Sequence, residues 1–157
     1  MHYGKSGKNM ASLLEKVKVI NRRLIVDDRG WFLKTITGKE EGIPSHTGEV
    51  YLTMGKPGQA RGGHYHFEAV EWFTIIEGNA ILKLEDIETH ERLDIEMSLE
   101  KAITVFIPSN VAHIVVNNSN EDFILLAYTD KIYDPSDTIA YVVAVSYTHL
   151  TLPTTER

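Results

Sequence analysis

The stretch from Gly58 to Gly78 constrains this chain more than any other, because it sets metal-binding residue types at strand spacing. His64 and His66 are two residues apart, so they point to the same side of a β-strand. Glu71 follows after F-E-A-V, which is long enough to turn the chain, and it opens the strand-like run W-F-T-I-I. We expect an antiparallel hairpin on which two imidazoles and one carboxylate converge. This set of side chains suits a divalent transition metal.

A fourth candidate ligand lies in residues 103–117, which read I-T-V-F-I-P-S-N-V-A-H-I-V-V-N. Pro108 ends one predicted strand and His113 opens the next. Asn110, in the turn between them, is one of the few non-glycine residue types that tolerate a left-handed backbone. The second stretch therefore offers His113 as a further ligand.

The two stretches together resemble the two sequence motifs of the cupin superfamily. The pattern G-x5-H-x-H-x4-E-x6-G matches the first motif at every fixed position, and P-x-G-x2-H-x3-N matches the second at Pro108, His113 and Asn117. Asn110 and Ala102 stand where the motif has glycine, and both departures concern turns. The resemblance implies a divalent transition metal (Zn, Fe, Mn, Ni or Co) held by His64, His66, Glu71 and His113.

Three shorter signals look like one branch of that superfamily. Residues 27–32 read D-D-R-G-W-F, residues 61–64 read R-G-G-H, and residues 133–135 read Y-D-P. Together they resemble the dTDP-4-dehydrorhamnose 3,5-epimerase-like cupins, which act on nucleotide-linked 4-keto-6-deoxy sugars. Residues 56–66 and the ending D-P-S-D-T at 134–138 extend the resemblance to the metal-binding cupin domain of capsular-polysaccharide nucleotide-sugar epimerase/reductases.

This resemblance implies roles for individual side chains. His64 corresponds to the family's catalytic base and Tyr128 to its acid, while Arg61 and Arg29 would bind substrate. Arg29 is a candidate for a diphosphate, because guanidinium binds phosphate bidentately. A histidine that ligates a metal cannot take up a proton through the same nitrogen. His64 is therefore either base or ligand, and in the second case Tyr128 or a metal-bound hydroxide would be the base.

Composition narrows the class and the partners. The chain has 157 residues, which suits one domain, and no cysteine, which excludes disulfides and thiolate ligands and fits a reducing compartment. No apolar run approaches the ~18 residues of a membrane span, and no signal peptide is visible, so we expect a cytoplasmic protein without a membrane partner. The net charge of −6 argues against nucleic acid. This net charge is still compatible with a small anionic substrate that a local cluster of cationic side chains binds.

Short apolar segments separated by Gly, Pro, Asn and Asp turns predict an all-β fold, a double-stranded β-helix or jelly-roll cupin barrel. We expect a disordered, tag-like N-terminus at 1–12, the cupin domain at 13–145 and an unstructured, non-native tail at 146–157. Members of the family commonly dimerise by exchanging N-terminal strands, so the resemblance also implies a homodimer.

These observations predict a metal-binding epimerase or isomerase acting on a nucleotide-linked 4-keto-6-deoxy sugar in surface-polysaccharide biosynthesis. Two alternatives stay open. Three histidines and a glutamate also suit Fe(II), so the chain could be a cupin oxygenase acting on a small molecule. It could also be a non-catalytic cupin that only binds a sugar.

Overall fold

The computed structural model describes residues 11–28, 30–33, 35–44 and 48–143. These residues form one short helix, twelve strands and a single 3-10 turn. The elements are α1 Leu13–Lys16, β1 Lys18–Asn21, β2 Leu24–Asp27, β3 Gly30–Leu33, β4 Glu49–Gly55, β5 Ala60–His66, β6 Glu71–Glu77, β7 Asn79–Asp86, β8 Arg92–Ser98, β9 Ile103–Ile107, β10 Val111–Val116, β11 Phe123–Thr129, the 3-10 turn Pro135–Asp137 and β12 Thr138–Ala140.

Two five-stranded antiparallel sheets make up the domain. Sheet I has the order β1-β9-β6-β11-β4, sheet II has the order β12-β5-β10-β7-β8, and β2 and β3 form a separate hairpin. Consecutive strands repeatedly change sheet, as β5 to β6 and β9 to β10 do. The structure thus confirms the predicted all-β jelly roll.

The predicted hairpin between the histidine strand and Glu71 is wrong. β5 belongs to sheet II and β6 to sheet I, and the two strands do not pair. Residues 67–70 carry the chain across the barrel rather than back along the same sheet. Glu71 still lies close to the histidines, because the two sheets pack with their inner faces toward each other.

The main core lies between the sheets, and strand β11 shows how the faces are sorted. Phe123, Leu125 and Ala127 are buried in the core, while the side chains between them are half exposed. Successive side chains on a strand point to opposite faces. Leu126 and Tyr128 therefore lie on the outer face of sheet I.

Individual residues account for several local features of the backbone. Ser12 caps α1 through a hydrogen bond that its Oγ accepts from the backbone N–H of Glu15. Ala102 and Asn110, the two residues that replace motif glycines, have φ of 49° and 61°. Both hold the left-handed conformation that glycine would adopt without steric cost.

Some expectations fall outside the described residues. They include residues 1–10 of the predicted N-terminal segment, the whole predicted tail at 146–157 and the side chain of Arg29. Within the described ranges, the one α-helix has four residues, and no helix there is long and apolar enough to cross a membrane.

Candidate metal centre

Three histidine rings cluster on the inner face of sheet II. His64 and His66 project from β5, and His113 projects from the adjacent strand β10, directly opposite His64. The centroid of the His64 ring lies 5.0 Å from that of His66 and 4.8 Å from that of His113. One ring nitrogen from each of the three residues lies within 4.8 Å of the others. Ligands at ~2.1 Å from one ion lie ~3.4 Å apart in tetrahedral geometry, so side-chain adjustments would be needed to bring all three onto it.

A β-bulge sets this arrangement. The pairing of β10 with β5 runs from His113–His64 to Ile114–Gly62, which leaves Gly63 as the extra residue. Gly62 and Gly63 have φ of 98° and 85°, and a Cβ on Gly62 would lie 2.9 Å from the carbonyl oxygen of His113. Only glycine fits this close approach of the two backbones.

The carboxylate of Glu71 approaches from sheet I. Its Oε2 lies 3.2 Å from Nε2 of His113, and its Oε1 lies 3.6 Å from Nε2 of His66. Tyr51 on β4 donates a hydrogen bond from its hydroxyl to Oε1 at 3.1 Å. The four predicted ligands therefore converge, two from β5, one from β10 and one from the opposite sheet.

Backbone carbonyls fix the tautomers of two histidines. Nδ1 of His66 lies 3.0 Å from the carbonyl oxygen of Asp137, and Nδ1 of His113 lies 3.1 Å from that of Val111. A carbonyl can only accept, so each Nδ1 carries the hydrogen. In the neutral ring Nε2 is then a bare lone pair, and both of these lone pairs face Glu71.

Acceptors that face each other in a buried site need a cation between them. Nε2 of His66, Nε2 of His113, Oε2 of Glu71 and Nδ1 of His64 are buried and have no hydrogen-bond partner among the described residues. Unpaired buried polar atoms are rare in folded proteins and call for an explanation. A divalent ion fits this set, since it would be coordinated by atoms that the protein otherwise leaves unsatisfied.

Burial and neighbouring charges also set the protonation states. Burial lowers the pKa of His64 to about 3, and the neighbouring His113 and His66 add to the effect, so this ring is neutral near pH 7. Burial alone would raise the pKa of Glu71, but hydrogen bonds and positive charge from His113 and His66, when these rings are protonated in the metal-free site, outweigh it and hold that pKa well below its usual range. Burial alone would lower the pKa of His66, but Glu71 in turn raises it. A neutral imidazole and an ionised carboxylate are the forms that bind metal.

Arg61 lies beside this cluster in a small cavity between the sheets. The cavity is about 30 Å³, and Tyr51, His64 and His113 line it together with Arg61. Residues three apart on a regular strand point to opposite faces, but the extra residue at Gly63 turns Arg61 to the side of His64. The guanidinium has no hydrogen-bond or ion-pair partner among the described residues, so it remains available to an anionic group.

The structure does not bring Tyr128 to the histidines. On β11, Tyr128 pairs with Trp72 and Thr129 pairs with Glu71, so Tyr128 and Glu71 point to opposite faces of sheet I. The ring of Tyr128 packs on Trp72 on the outer face, with centroids 5.4 Å apart. The catalytic role expected for Tyr128 beside His64 is therefore not supported by this geometry. The role expected for Arg29 lies outside the described residues.

Sequence reasoning missed two residues that the structure joins to the site. Tyr51 lies in the strand E-V-Y-L-T-M-G, which carries no motif that would indicate a functional residue. Asp137 lies in the D-P-S-D-T ending, where the motif was visible but its contacts, with residues 68 to 71 positions away, were not.

Comparison with known proteins places the chain in a family. Residues 25–141 match the family described as "Polysaccharide biosynthesis C-terminal domain". The chain belongs to this family. A curated relative of the polysaccharide biosynthesis C-terminal domain is the UDP-2-acetamido-2,6-beta-L-arabino-hexul-4-ose reductase of Pseudomonas aeruginosa, 27% identical over 119 residues. The match covers 76% of this chain but only 30% of that reductase.

Solved structures share the cupin fold of this polysaccharide biosynthesis C-terminal domain. The dTDP-4-dehydrorhamnose 3,5-epimerase of Sulfolobus tokodaii superposes with a TM-score of 0.77 at 18% identity, covering 90% of this chain and 87% of the epimerase. A double mutant of the sugar 3,4-ketoisomerase QdtA from Thermoanaerobacterium thermosaccharolyticum, in complex with TDP, has a TM-score of 0.66 at 25% identity, covering 79% of this chain and 86% of the isomerase. The predicted resemblance to epimerase-like sugar cupins is thereby confirmed.

Proposed function

We propose that this domain is a metal-dependent epimerase or isomerase that acts next to the ketone of a nucleotide-linked 4-keto-6-deoxy sugar. The observation that carries the proposal is the convergence of His64, His66, His113 and Glu71 on one point. Beside them lies Arg61, whose guanidinium has no partner within the part of the chain that the structure describes. The family match to a polysaccharide-biosynthesis domain supports the substrate class. So do the named activities of the epimerase, the ketoisomerase and the reductase to which the chain is similar.

The residues present suit a proton abstraction beside a carbonyl. His64, His66, Glu71 and His113 would hold a divalent transition metal (Zn, Fe, Mn, Ni or Co), which would supply Lewis-acid polarisation of a substrate carbonyl oxygen. Arg61 would hold the anionic part of the substrate through charge-assisted hydrogen bonds. Tyr51, His64 and His113 are the cavity-lining residues that can carry a proton, and His64 and His113 are also proposed ligands.

The small cavity limits what reaches the reacting point. The cavity of about 30 Å³ is much smaller than a nucleotide, so only the reacting end of the sugar would enter it. The carbonyl end of the sugar would approach the ligands, and the nucleotide would remain outside, on the side of Arg61. In this arrangement the contacts to the nucleotide would supply binding energy, although the nucleotide itself does not react.

Metal content and hydrogen exchange test the proposal together. Protein purified without chelator or nickel resin should contain about one divalent metal per chain by elemental analysis, because four ligands bind one ion. In deuterated water it should then exchange the carbon-bound hydrogen next to the ketone of a TDP- or UDP-linked 4-keto-6-deoxy sugar, as seen by NMR. The His66→Ala variant should lose metal and exchange, whereas His90→Ala, which alters a surface ring, should keep both.

The other outcomes identify the alternatives. Metal binding without exchange, but with O2 consumption in the presence of Fe(II), would replace the epimerase proposal with an oxygenase. Metal and sugar binding with neither reaction would leave a sugar-binding cupin. Well under one metal per chain, with folding unchanged by chelation, would remove the metal centre.

A further inference from the structure

The four residues that separate His66 from Glu71 are tied to the end of the domain. We name residues 67–70 the link. All four backbone N–H groups of the link donate to carboxylates of Asp130 and Asp137, which lie between β11 and β12. The distances are 2.9 Å for Phe67 N and for Glu68 N to Asp137 Oδ1, 3.0 Å for Ala69 N to Asp137 Oδ2, and 2.9 Å for Val70 N to Asp130 Oδ1.

Asp137 makes a fourth contact through its backbone. Its carbonyl oxygen accepts from Nδ1 of His66 at 3.0 Å, which directs Nε2 of that ring at Glu71. Strand β12, which starts at the next residue, pairs with β5 so that Thr138 lies opposite His66 and Ala140 opposite His64. One residue therefore holds both a histidine and the segment that leads from it to the glutamate.

The backbone N–H groups of the link do not need these carboxylates as hydrogen-bond acceptors. Phe67 and Glu68 are exposed, so water could solvate their N–H groups at little cost. Three hydrogen bonds to one carboxylate instead fix the conformation of the link. The link crosses from sheet II to sheet I, and its conformation sets how far the carboxylate of Glu71 lies from the ring of His66.

We propose that Asp137 is a positioning residue for the metal centre, which holds the ring of His66 and the backbone of the link so that Nε2 of His66 and the carboxylate of Glu71 reach one ion. This inference rests on the metal centre of the proposed function. Groups behind the direct ligands orient those ligands and tune affinity. Here the carbonyl of Asp137 orients the ring, and its carboxylate orients the segment behind the second ligand.

The test compares Co(II) affinity and hydrogen exchange in variants of the full chain. Removing the side chain in Asp137→Ala should weaken Co(II) binding by about 10-fold or more. Asp137→Asn keeps one acceptor oxygen and should recover part of the affinity. The matched control is Asp134→Asn, because the side chain of Asp134 bonds to Ser136 and not to the link. Asp134 caps the turn that carries Asp137, and its carbonyl oxygen accepts from the backbone N–H of Asp137, so asparagine removes the charge while keeping an oxygen that can cap the turn. This control variant should bind Co(II) as the wild type does.

A second readout needs no metal. In the apo protein, Asp137→Ala should speed the hydrogen exchange of the Phe67, Glu68 and Ala69 amides and change the 15N shifts of His66, while Asp134→Asn should leave them unchanged. Wild-type Co(II) affinity and d–d spectrum in Asp137→Ala would overturn the inference. If the wild type itself binds no metal, the metal centre of the proposed function fails instead, and the exchange rates still report whether Asp137 holds the link.

Discussion

The hydroxyl of Tyr51 donates to Oε1 of Glu71 at 3.1 Å, while Oε2 of the same carboxylate lies 3.2 Å from Nε2 of His113. Tyr51 on β4 and Glu71 on β6 both belong to sheet I, in which β11 lies between their strands. The hydrogen bond gives the two carboxylate oxygens different environments. Oε1 is held by a donor, and Oε2, which has no hydrogen-bond partner among the described residues, is left for a cation. Tyr51 thus orients a proposed ligand from behind.

Replacing Tyr51 by phenylalanine should weaken metal binding. Tyr51→Phe removes only the hydroxyl, so Glu71 loses the donor that fixes its rotation, and Zn(II) or Co(II) affinity should fall by about 10-fold. Competition with a chromophoric chelator measures the change. Tyr128→Phe is the matched control, since Tyr128 lies on the outer face of sheet I and should leave both metal affinity and substrate hydrogen exchange unchanged. Loss of exchange in Tyr128→Phe with full exchange in Tyr51→Phe would show that the outer-face tyrosine takes part after all.

Arg61 should account for the affinity of an anionic ligand. If its guanidinium makes a charge-assisted hydrogen bond, Arg61→Ala should weaken binding of TDP or of a TDP-sugar by about 1.5–3 kcal/mol, measured by calorimetry. Arg61→Lys should recover little, because an ammonium lacks the planar pair of donors. Lys101→Ala makes the same change in net charge at an exposed pair with Glu96 and should have no effect. Equal binding by Arg61→Ala and the wild type would favour an uncharged substrate.

Glu40 should make stability depend on pH in acid. Its Oε1 lies 2.6 Å from Nη2 of Arg22 and accepts from the backbone N–H and hydroxyl of Thr37, and Gly38 N–H donates to Oε2. Burial alone would raise the pKa of Glu40, but these donors outweigh it and lower the pKa to about 2. A pKa depressed in the folded state contributes stability above the unfolded value of ~4.3, and this contribution is lost as pH falls toward 2.

Urea unfolding at several pH values measures that contribution. At pH 7, Glu40→Gln should be less stable than the wild type by about 2–3 kcal/mol, given ~1.4 kcal/mol per pKa unit. The difference should shrink progressively below pH ~4.5, because protonation removes the same charge from the wild type. Glu41→Gln, at the exposed neighbour, should unfold like the wild type at every pH. A difference between Glu40→Gln and wild type that stays constant from pH 7 to pH 3 would contradict the assignment.

The homodimer stays a prediction, and strand β4 is where we expect contact. β4 is an edge strand of sheet I, and its outer face carries Val50, Leu52 and Met54, with Val50 and Leu52 each 62% exposed. Ile124, Leu126 and Tyr128 extend this apolar face on β11. Exposed apolar edges are sites of association.

Light scattering should therefore report a mass near twice 17.7 kDa for the wild type. The Leu52→Glu variant should shift the mass toward the monomer, because it buries a charge in the expected contact. Val142→Glu, which adds the same charge at another exposed apolar residue, should leave the mass unchanged. A wild type that is monomeric at micromolar concentration would rule out this contact.

The sequence was sufficient to predict that His64, His66, Glu71 and His113 converge, whereas the direction in which other side chains point depended on the fold. His64 and His66 share a face whatever their partner strands are, so spacing alone sufficed. Strand β11 reads F-I-L-L-A-Y-T, which is apolar at both alternate sets of positions, so periodicity could not say whether Tyr128 points in or out. The register of β11 against β6 places Tyr128 on the outer face of sheet I. Arg61 reaches the side of His64 only through the bulge at Gly63, and glycine pairs hint at a bulge without giving its direction.

Because Asp137 fixes the conformation of the link, the metal centre can be completed only after residue 137 has been synthesised. His64, His66 and Glu71 leave the ribosome more than sixty residues before Asp137 and strand β12 do. At 5–20 residues per second, this interval is roughly 3–15 s. Throughout that time the early ligands are present but the segment that fixes their spacing is not. Metal capture should therefore be among the last events in the maturation of the domain, and a released chain truncated before residue 137 should bind metal weakly even though it contains all four proposed ligands.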